Sequence, residues 1–223
     1  MLKPMTKLVV AMLLIALLTS PVQAAIRYVA IGDSYTIGTG AQPDEAWPVL
    51  ITKYLRTNKI PIELVGNLGR NGWTSYQLID QELPALKELQ PDFVTILIGV
   101  NDWVQGVGAN VFQRKFSQAL DELLKIIPNP QRILVITIPD FSMTSVGKQY
   151  ANGRNISQGI LEFNQIIIQE AQKRKLQVFD LYPISQDFGK DPSLIASDGL
   201  HPSAKGYAMW ADFIGPEAEG LLK

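Results

Sequence analysis

Short apolar runs alternate along this chain with longer segments in which apolar residues recur at helical spacing. Most of the runs are apolar at every position rather than at every second one. Such continuous runs are typical of strands that are covered on both faces of a parallel sheet. The pattern predicts five strands, over residues 26–31, 62–66, 93–98, 133–138 and 177–181.

The segments between and after these runs predict five helices, over residues 46–57, 76–89, 112–127, 156–175 and 204–222. Pro48 suits the first turn of its helix, and Pro128 and Pro130 end the third helix before the next strand. The alternation predicts an open, five-stranded parallel sheet with right-handed crossovers and helices on both faces. The hydrophobic content of 47% is enough for a sizeable core, so we expect a single α/β domain over residues 25–223.

The first 24 residues have the pattern of a secretory signal peptide. Lys3 and Lys7 precede an apolar run over residues 8–18, and small residues follow up to Ala24. This run is shorter than the roughly 20 residues that a membrane-spanning helix needs. We therefore expect cleavage near Ala24, export to a periplasm or the medium, and no integral membrane anchor afterwards. A retained anchor is the alternative.

Charge and composition exclude several classes of partner. The whole chain has a net charge of −1, and removing residues 1–24 takes away two lysines and no acid, which makes the net charge −3. This mild acidity is untypical of proteins that bind nucleic acid or anionic lipid surfaces. The chain has no cysteine and one histidine, so we expect no disulfide, no lipid-modified cysteine and no metal site. No obligate protein partner is indicated.

The single histidine, His201, is the first candidate for proton transfer near neutral pH. Asp198 lies three residues before it, so one tight turn can bring its carboxylate to an imidazole N–H. That contact would fix the tautomer of the ring and stabilise an imidazolium. A loop histidine with a structural role is the alternative.

Other candidate residues follow the predicted strands, at the edge where open α/β sheets carry their sites. Ser34 follows the first strand, although Thr36 stands where a Gly-x-Ser-x-Gly nucleophile elbow has its second glycine. The loop after the second strand contains Gly69 and Gly72, and one of these glycines could direct an N–H into a site. Asn101 follows the third strand and could donate from its amide. Each of these residues could instead belong to an ordinary turn or helix cap.

Taken together, four short blocks resemble the sequence blocks of the GDSL, or SGNH, hydrolases. The blocks are Gly32-Asp33-Ser34, Gly72, Gly99-Val100-Asn101-Asp102 and Asp198-Gly199-Leu200-His201. Their spacing, and the stretch Ala46-Trp47-Pro48, are similar to secreted bacterial acyl-hydrolases of the thioesterase I/arylesterase group. The resemblance covers nearly all of residues 25–223 and implies a flavodoxin-like, three-layer α/β/α sandwich.

The resemblance also implies a role for each matching residue. Ser34 would be the nucleophile, His201 the general base and then acid, and Asp198 the residue that orients His201. The oxyanion hole would consist of the Ser34 and Gly72 backbone N–H groups and the Asn101 side chain. No cofactor is implied. Two departures from the family pattern are Trp73 directly after Gly72 and Val100 at a frequent glycine position.

We therefore expect a serine carboxylic-ester hydrolase that acts on a small-molecule or lipid ester. Short acyl esters are the first candidate substrates, with lysophospholipids and thioesters beside them. An O-acetyl esterase acting on a polysaccharide is the alternative. A catalytically silent ligand-binding protein is disfavoured by the intact Ser34, Asn101, Asp198 and His201. Trp73 and Trp103 could line an acyl or sugar pocket, or pack the loops.

Overall fold

Five parallel strands form one sheet in the computed structural model, which describes residues 24–223. The predicted signal peptide lies outside the described residues, apart from Ala24. The strands are β1 (Ile26–Gly32), β2 (Ile62–Asn67), β3 (Phe93–Leu97), β4 (Ile133–Ile136) and β5 (Gln177–Phe179). Their order across the sheet is β2-β1-β3-β4-β5. The direction of progress across the sheet therefore reverses between β1 and β3, which makes this the topological switch point.

Nine α-helices and several short 3-10 turns connect the strands of residues 24–223. A π-helical stretch, Leu78–Glu82, joins the third helix to the fourth. The helices are α1 (Ser34–Ile37), α2 (Trp47–Thr57), α3 (Ser75–Gln77), α4 (Leu83–Glu88), α5 (Val100–Val104), α6 (Ala109–Ile126), α7 (Ile156–Lys173), α8 (Tyr182–Ser185) and α9 (Ala204–Leu222). None of these helices is both long and apolar enough to cross a bilayer.

The helices cover the sheet on both faces. Helices α2 and α9 pack against each other on one face, whereas α4, α6 and α7 pack in a row on the other. Helix α6 buries Phe112 and Phe116 at the spacing of one helical turn, and Phe112 stacks on Phe163 of α7 with ring centroids 4.4 Å apart. This arrangement confirms the flavodoxin-like three-layer α/β/α sandwich with its five-stranded parallel sheet.

The predicted strands and long helices are confirmed, with differences at their ends. Strand β4 ends at Ile136, and the side chain of the next residue, Thr137, bonds to the segment just after β5. Its hydroxyl donates to Asp180 Oδ1 at 2.7 Å and accepts from the Leu181 N–H at 2.9 Å. The helix predicted over 76–89 is divided by the π-helical stretch, and the short helices α1, α5 and α8 were not predicted.

Gly32 is the last residue of β1, directly before the residues that carry the loops at the carboxyl edge of the sheet. Its φ of +147° lies in a region that side chains rarely adopt, and a Cβ there would overlap the carbonyl oxygen of Leu97 in β3. Only glycine permits this close approach of the two strand ends. The backbone of the following residues is positioned by this contact.

We expect Gly32→Ala to lower the free energy of unfolding by about 1–3 kcal/mol, because it combines backbone strain with overpacking. Urea denaturation followed by circular dichroism measures the change. The control is Gly220→Ala in α9, where a Cβ meets no atom within 4 Å. This control should be neutral or stabilising by up to about 1 kcal/mol. Equal stability of Gly32→Ala and the wild type would contradict the proposed close packing.

Candidate active site

Ser34 is placed at the carboxyl edge of the sheet, next to the switch point. It is the first residue of α1, a helix of four residues that follows β1 directly. The Asp33 side chain caps this helix by accepting from the Tyr35 N–H at 3.0 Å. Ser34 is buried on most of its surface, yet its side chain reaches the pocket above the sheet.

Asp198 and His201 lie together on one turn, as their spacing predicted. Asp198 Oδ1 accepts from the backbone N–H groups of Leu200 at 2.8 Å and His201 at 3.0 Å. Its other oxygen, Oδ2, lies 2.7 Å from His201 Nδ1. The second ring nitrogen, Nε2, lies 2.9 Å from Ser34 Oγ. A carboxylate, an imidazole and a serine hydroxyl therefore form one continuous chain of hydrogen bonds.

The charge of Asp198 determines which atom donates in each hydrogen bond of His201. Burial tends to raise the pKa of Asp198, but the hydrogen bonds from Leu200 and His201 outweigh it and hold that pKa below its usual range. An ionised carboxylate can only accept, so the Nδ1 atom of a neutral His201 carries the proton. Nε2 is then left as an acceptor for the Ser34 hydroxyl.

The structure brings Gly72 and Asn101 to the same pocket as Ser34 and His201. Asn101 Nδ2 donates one hydrogen to the Trp73 carbonyl at 2.9 Å, which leaves its second hydrogen available. The Gly72 carbonyl accepts from Gln105 Nε2 at 3.2 Å. Among residues 24–223, the hydrogen bonds of the structure do not use the N–H of Ser34 or of Gly72. Three donors are thus free at one pocket.

A buried carboxylate fixes the two loops that carry these donors. Asp102 accepts from the Ser75 backbone N–H at 2.8 Å and from the Ser75 hydroxyl at 2.6 Å. Asp102 directly follows Asn101, and Ser75 follows the loop that contains Gly72. The relative position of the Gly72 and Asn101 loops therefore depends on this pair of bonds.

The pocket beside Ser34 has a volume of about 220 Å³ and a largely apolar wall. This wall includes Val104 of α5 and, from the segment that follows β4, Phe141 and Tyr150. The complete lining is Ser34, Tyr35, Asn71, Gly72, Val100, Asn101, Val104, Phe141, Tyr150, Leu200 and His201. Sequence reasoning did not select Phe141 or Tyr150, because residues 139–155 show no strand or helix pattern.

The first anchor of segment 139–155 is Asp140, which lies four residues after the end of β4 and is almost fully buried. Its carboxylate accepts from the Ser142 N–H at 2.8 Å, the Ser157 hydroxyl at 2.7 Å and Gln186 Nε2 at 3.0 Å. Burial tends to raise the pKa of Asp140, but these hydrogen bonds lower it below its usual range. The start of the segment is thus fixed to α7 and to the turn after α8.

The second anchor of segment 139–155 is Arg154. Its guanidinium donates to the carbonyl oxygens of Trp103 at 2.5 Å and Val104 at 3.1 Å, at the end of α5. It also lies over the Trp103 ring, with 3.9 Å between Cζ and the ring centroid. The segment that carries Tyr150 is thereby attached to the helix that carries Asn101.

The two tryptophans that the sequence left open have different positions. Trp103 is buried against Phe141 and against Gly159 of α7, so it packs the loops and does not line the pocket. Trp73 is partly exposed and lines a separate groove next to the pocket.

Within residues 24–223, no group of three histidine, aspartate or glutamate side chains is arranged to hold a metal ion.

Two buried carboxyl groups lie behind Ser34 and were not selected from the sequence. Glu82, at the end of the π-helical stretch, accepts from the Gly32 N–H at 2.7 Å through Oε2. Its Oε1 and the Oδ2 of Asp33 are buried without a hydrogen-bond partner in the described part of the chain. Burial raises the pKa of Glu82 to about 9 and that of Asp33 to about 8. Both groups are mainly protonated at neutral pH.

Comparisons with known proteins agree with this fold. The family model of GDSL-like lipases and acylhydrolases matches residues 30–209. The chain is 22% identical over 210 residues to the thioesterase 1/protease 1/lysophospholipase L1 of Escherichia coli (strain K12), covering 94% of this chain and 91% of that protein. It is 27% identical over 141 residues to a multidomain esterase of Ruminococcus flavefaciens, covering 62% of this chain but only 17% of that protein.

A solved structure shows the same fold. The acetylxylan esterase Axe2 of Geobacillus stearothermophilus superposes with a TM-score of 0.68 at 20% sequence identity. The match covers 87% of this chain and 94% of that one. Fold and site together are those of a serine ester hydrolase. The chain belongs to the GDSL-like lipase/acylhydrolase family, as the motifs around Ser34 and His201 predicted.

The raised pKa of Glu82 predicts a pH-dependent stability. Between the unfolded pKa, near 4.5, and the folded pKa of about 9, the folded state retains a proton that the unfolded state has lost. Stability must therefore fall as the pH rises through this window, by at most about 1.4 kcal/mol per pH unit for one group. We expect Glu82→Gln to make this decline shallower, since glutamine can still accept from the Gly32 N–H and does not ionise.

Urea denaturation at intervals from pH 5 to pH 9 measures the effect. Glu88→Gln, an exposed position in α4, is the matched control and should keep the slope of the wild type. If Glu82→Gln and Glu88→Gln have the same slope as the wild type, Glu82 is not the group that retains the proton.

Proposed function

We propose that Ser34, His201 and Asp198 act as a catalytic triad for the hydrolysis of carboxylic esters, with short acyl esters as the first candidate substrates. The observation that carries this proposal is the chain of hydrogen bonds from Asp198 to His201 at 2.7 Å and from His201 to Ser34 at 2.9 Å. This geometry is within the reach that a general base requires of a nucleophile. This chain of hydrogen bonds lies at the same pocket as the free donors of Ser34, Gly72 and Asn101.

In the proposed mechanism, His201 Nε2 takes the hydroxyl proton as Ser34 Oγ attacks the ester carbonyl carbon. Asp198 keeps the ring in the required tautomer and stabilises the imidazolium that forms. The negative charge that develops on the carbonyl oxygen is stabilised by the N–H groups of Ser34 and Gly72 and by Asn101 Nδ2. Collapse of this intermediate breaks the ester C–O bond, and His201 gives its proton to the leaving alcohol.

The second half of the reaction regenerates the enzyme. Water attacks the acyl-Ser34 carbonyl while His201 accepts its proton, and the same three donors stabilise the second tetrahedral intermediate. Collapse releases the carboxylic acid and returns the proton to Ser34 Oγ. None of these steps needs a group other than the side chains and backbone donors already described.

The apolar wall formed by Val104, Phe141 and Tyr150 favours an acyl chain as the part of the ester that enters the pocket. Thioesters and lysophospholipids are further candidates, and the names of the Escherichia coli relative support them. The alternative is O-acetyl ester hydrolysis on a polysaccharide, as the name of the Geobacillus stearothermophilus structure suggests. A silent ligand-binding protein would have no need of the ordered bonds between Ser34 and Asp198.

The site of action proposed for the enzyme is outside the cytoplasm. This proposal rests on the signal-peptide pattern of residues 1–24, with cleavage near Ala24. A mature protein whose amino terminus, determined by Edman degradation after expression in a bacterial host, retains residues 1–24 would contradict it.

We expect Ser34→Ala and His201→Ala each to reduce ester hydrolysis to the level of the blank, because each removes a group that handles the same proton. The measurement is release of p-nitrophenol from acyl esters of two to twelve carbons, beside acetate release from acetylated xylan. Thermal unfolding of both variants checks that the fold is intact. Turnover like that of the wild type in either variant would reject the triad.

We expect Asn101→Ala to lower kcat by a factor on the order of 10²–10³ with little change in KM, because the lost donor acts mainly on the transition state. Steady-state kinetics on p-nitrophenyl butyrate measures both constants. Asn110→Ala, on the exposed surface of α6, is the matched control and should leave both constants unchanged. A change confined to KM would assign Asn101 to substrate binding instead.

A further inference from the structure

A second groove, of about 540 Å³, adjoins the pocket that contains Ser34. Asn71 lines both spaces, and the other residues of the loop over 69–73 line one or the other. The groove is lined by Ile37, Gly38, Thr39, Ala41, Pro43, Gly69, Arg70, Asn71 and Trp73. An ester bound at Ser34 can therefore extend one of its two parts into this groove.

The polar end of the groove is fixed relative to the reacting serine. The Arg70 backbone N–H donates to the Gly32 carbonyl at 3.2 Å. Gly69 approaches the Asp33 carbonyl so closely that a Cβ there would lie 2.8 Å from its oxygen. The backbone of Arg70 is thus attached to the end of β1. Arg70 lies two residues before Gly72 in the sequence.

The side chains of the groove offer hydrogen-bond donors and a positive charge. The Thr39 hydroxyl donates to Asn71 Oδ1 at 2.5 Å, which leaves the Asn71 amide hydrogens as the free polar atoms of that side chain. Arg70 Nη1 donates to the Gly69 carbonyl at 2.9 Å, and the other guanidinium hydrogens form no bond among residues 24–223. The partly exposed Trp73 ring supplies an apolar wall beside them.

No acidic side chain balances this charge within the groove. The lining contains no aspartate or glutamate, and Arg70 takes part in none of the ion pairs within residues 24–223. The nearby carboxyl of Glu82 is mainly protonated at neutral pH. A neutral sugar usually needs acceptors as well as donors, whereas an anion needs donors and a cation.

We propose that this groove binds an anionic group, a phosphate or a carboxylate, on the alcohol part of the ester, and that Arg70 determines this specificity. The guanidinium fork matches the oxygen atoms of such an anion, and Asn71 adds a neutral donor. The inference rests on the proposed function, because it assigns the acyl part to the Ser34 pocket and the alcohol part to the groove.

The kinetic test compares esters with the same acyl group and different charges on the alcohol. The substrates are 1-butyrylglycerol 3-phosphate, 3-O-butyrylglycerate and neutral 1-butyrylglycerol. We expect the wild type to prefer one or both anionic esters by about tenfold or more in kcat/KM, mainly through KM. The phosphate and carboxylate arms identify which anion the groove accepts.

The variants are Arg70→Gln, Arg70→Lys and the matched control Arg114→Gln, which removes a positive charge from the exposed surface of α6. We expect Arg70→Gln to abolish the preference, Arg70→Lys to retain part of it, and Arg114→Gln to leave it unchanged. A wild type without a preference, or an Arg70→Gln variant that keeps it, would overturn the proposal.

Binding to Ser34→Ala tests the groove separately from hydrolysis. Titration calorimetry with glycerol 3-phosphate and glycerate should show binding that weakens with added sodium chloride and disappears when Arg70→Gln is combined with Ser34→Ala. Anion binding without ester hydrolysis by the wild type would reject the proposed function and keep the groove. Hydrolysis of neutral esters without anion binding would reject the groove and keep the proposed function.

Discussion

Pairing of β1 with β3 across the switch point is the constraint on which the site depends. Gly32 lies opposite Leu97 in this register, and their contact is too close for any side chain at position 32. Ser34 follows the first of these strands and Asn101 follows the second, so both reach the same edge of the sheet. Backbone pairing of the two strands thereby brings a serine hydroxyl and an amide donor to one edge of the sheet.

Carboxyl groups that accept backbone N–H groups hold the loops above this edge. Glu82 binds the N–H of Gly32, Asp102 that of Ser75, Asp140 that of Ser142, and Asp198 those of Leu200 and His201. Each bond holds the backbone of a loop in one position, and so holds the residues next to it in the sequence. A short loop of this kind is held more firmly by such a bond than by apolar contacts, because a buried donor without its acceptor would be costly.

The sequence predicted the parts of the structure that depend on local pattern. Continuous apolar runs identified the strands, and the spacing of Asp198 and His201 identified the turn that carries them. The wall formed by Phe141 and Tyr150 could not be predicted, because Asp140 and Arg154 position it through partners on α5, α7 and the turn after α8. The burial of Trp103 likewise depends on Gly159, a contact more than fifty positions away in the chain.

The carboxyl groups near Ser34 differ in charge because their surroundings differ. Asp198 is partly exposed and accepts three hydrogen bonds, which keeps it ionised where a positive charge develops on His201. Within the described part of the chain, Asp33 and Glu82 each leave one oxygen buried without a hydrogen-bond partner, and burial raises the pKa of both. An ionised Asp33 would place a second negative charge directly behind the proposed oxyanion hole and oppose the charge that forms there. Keeping this pair protonated therefore leaves Asp198 as the ionised carboxylate in contact with His201, as the proposed mechanism requires.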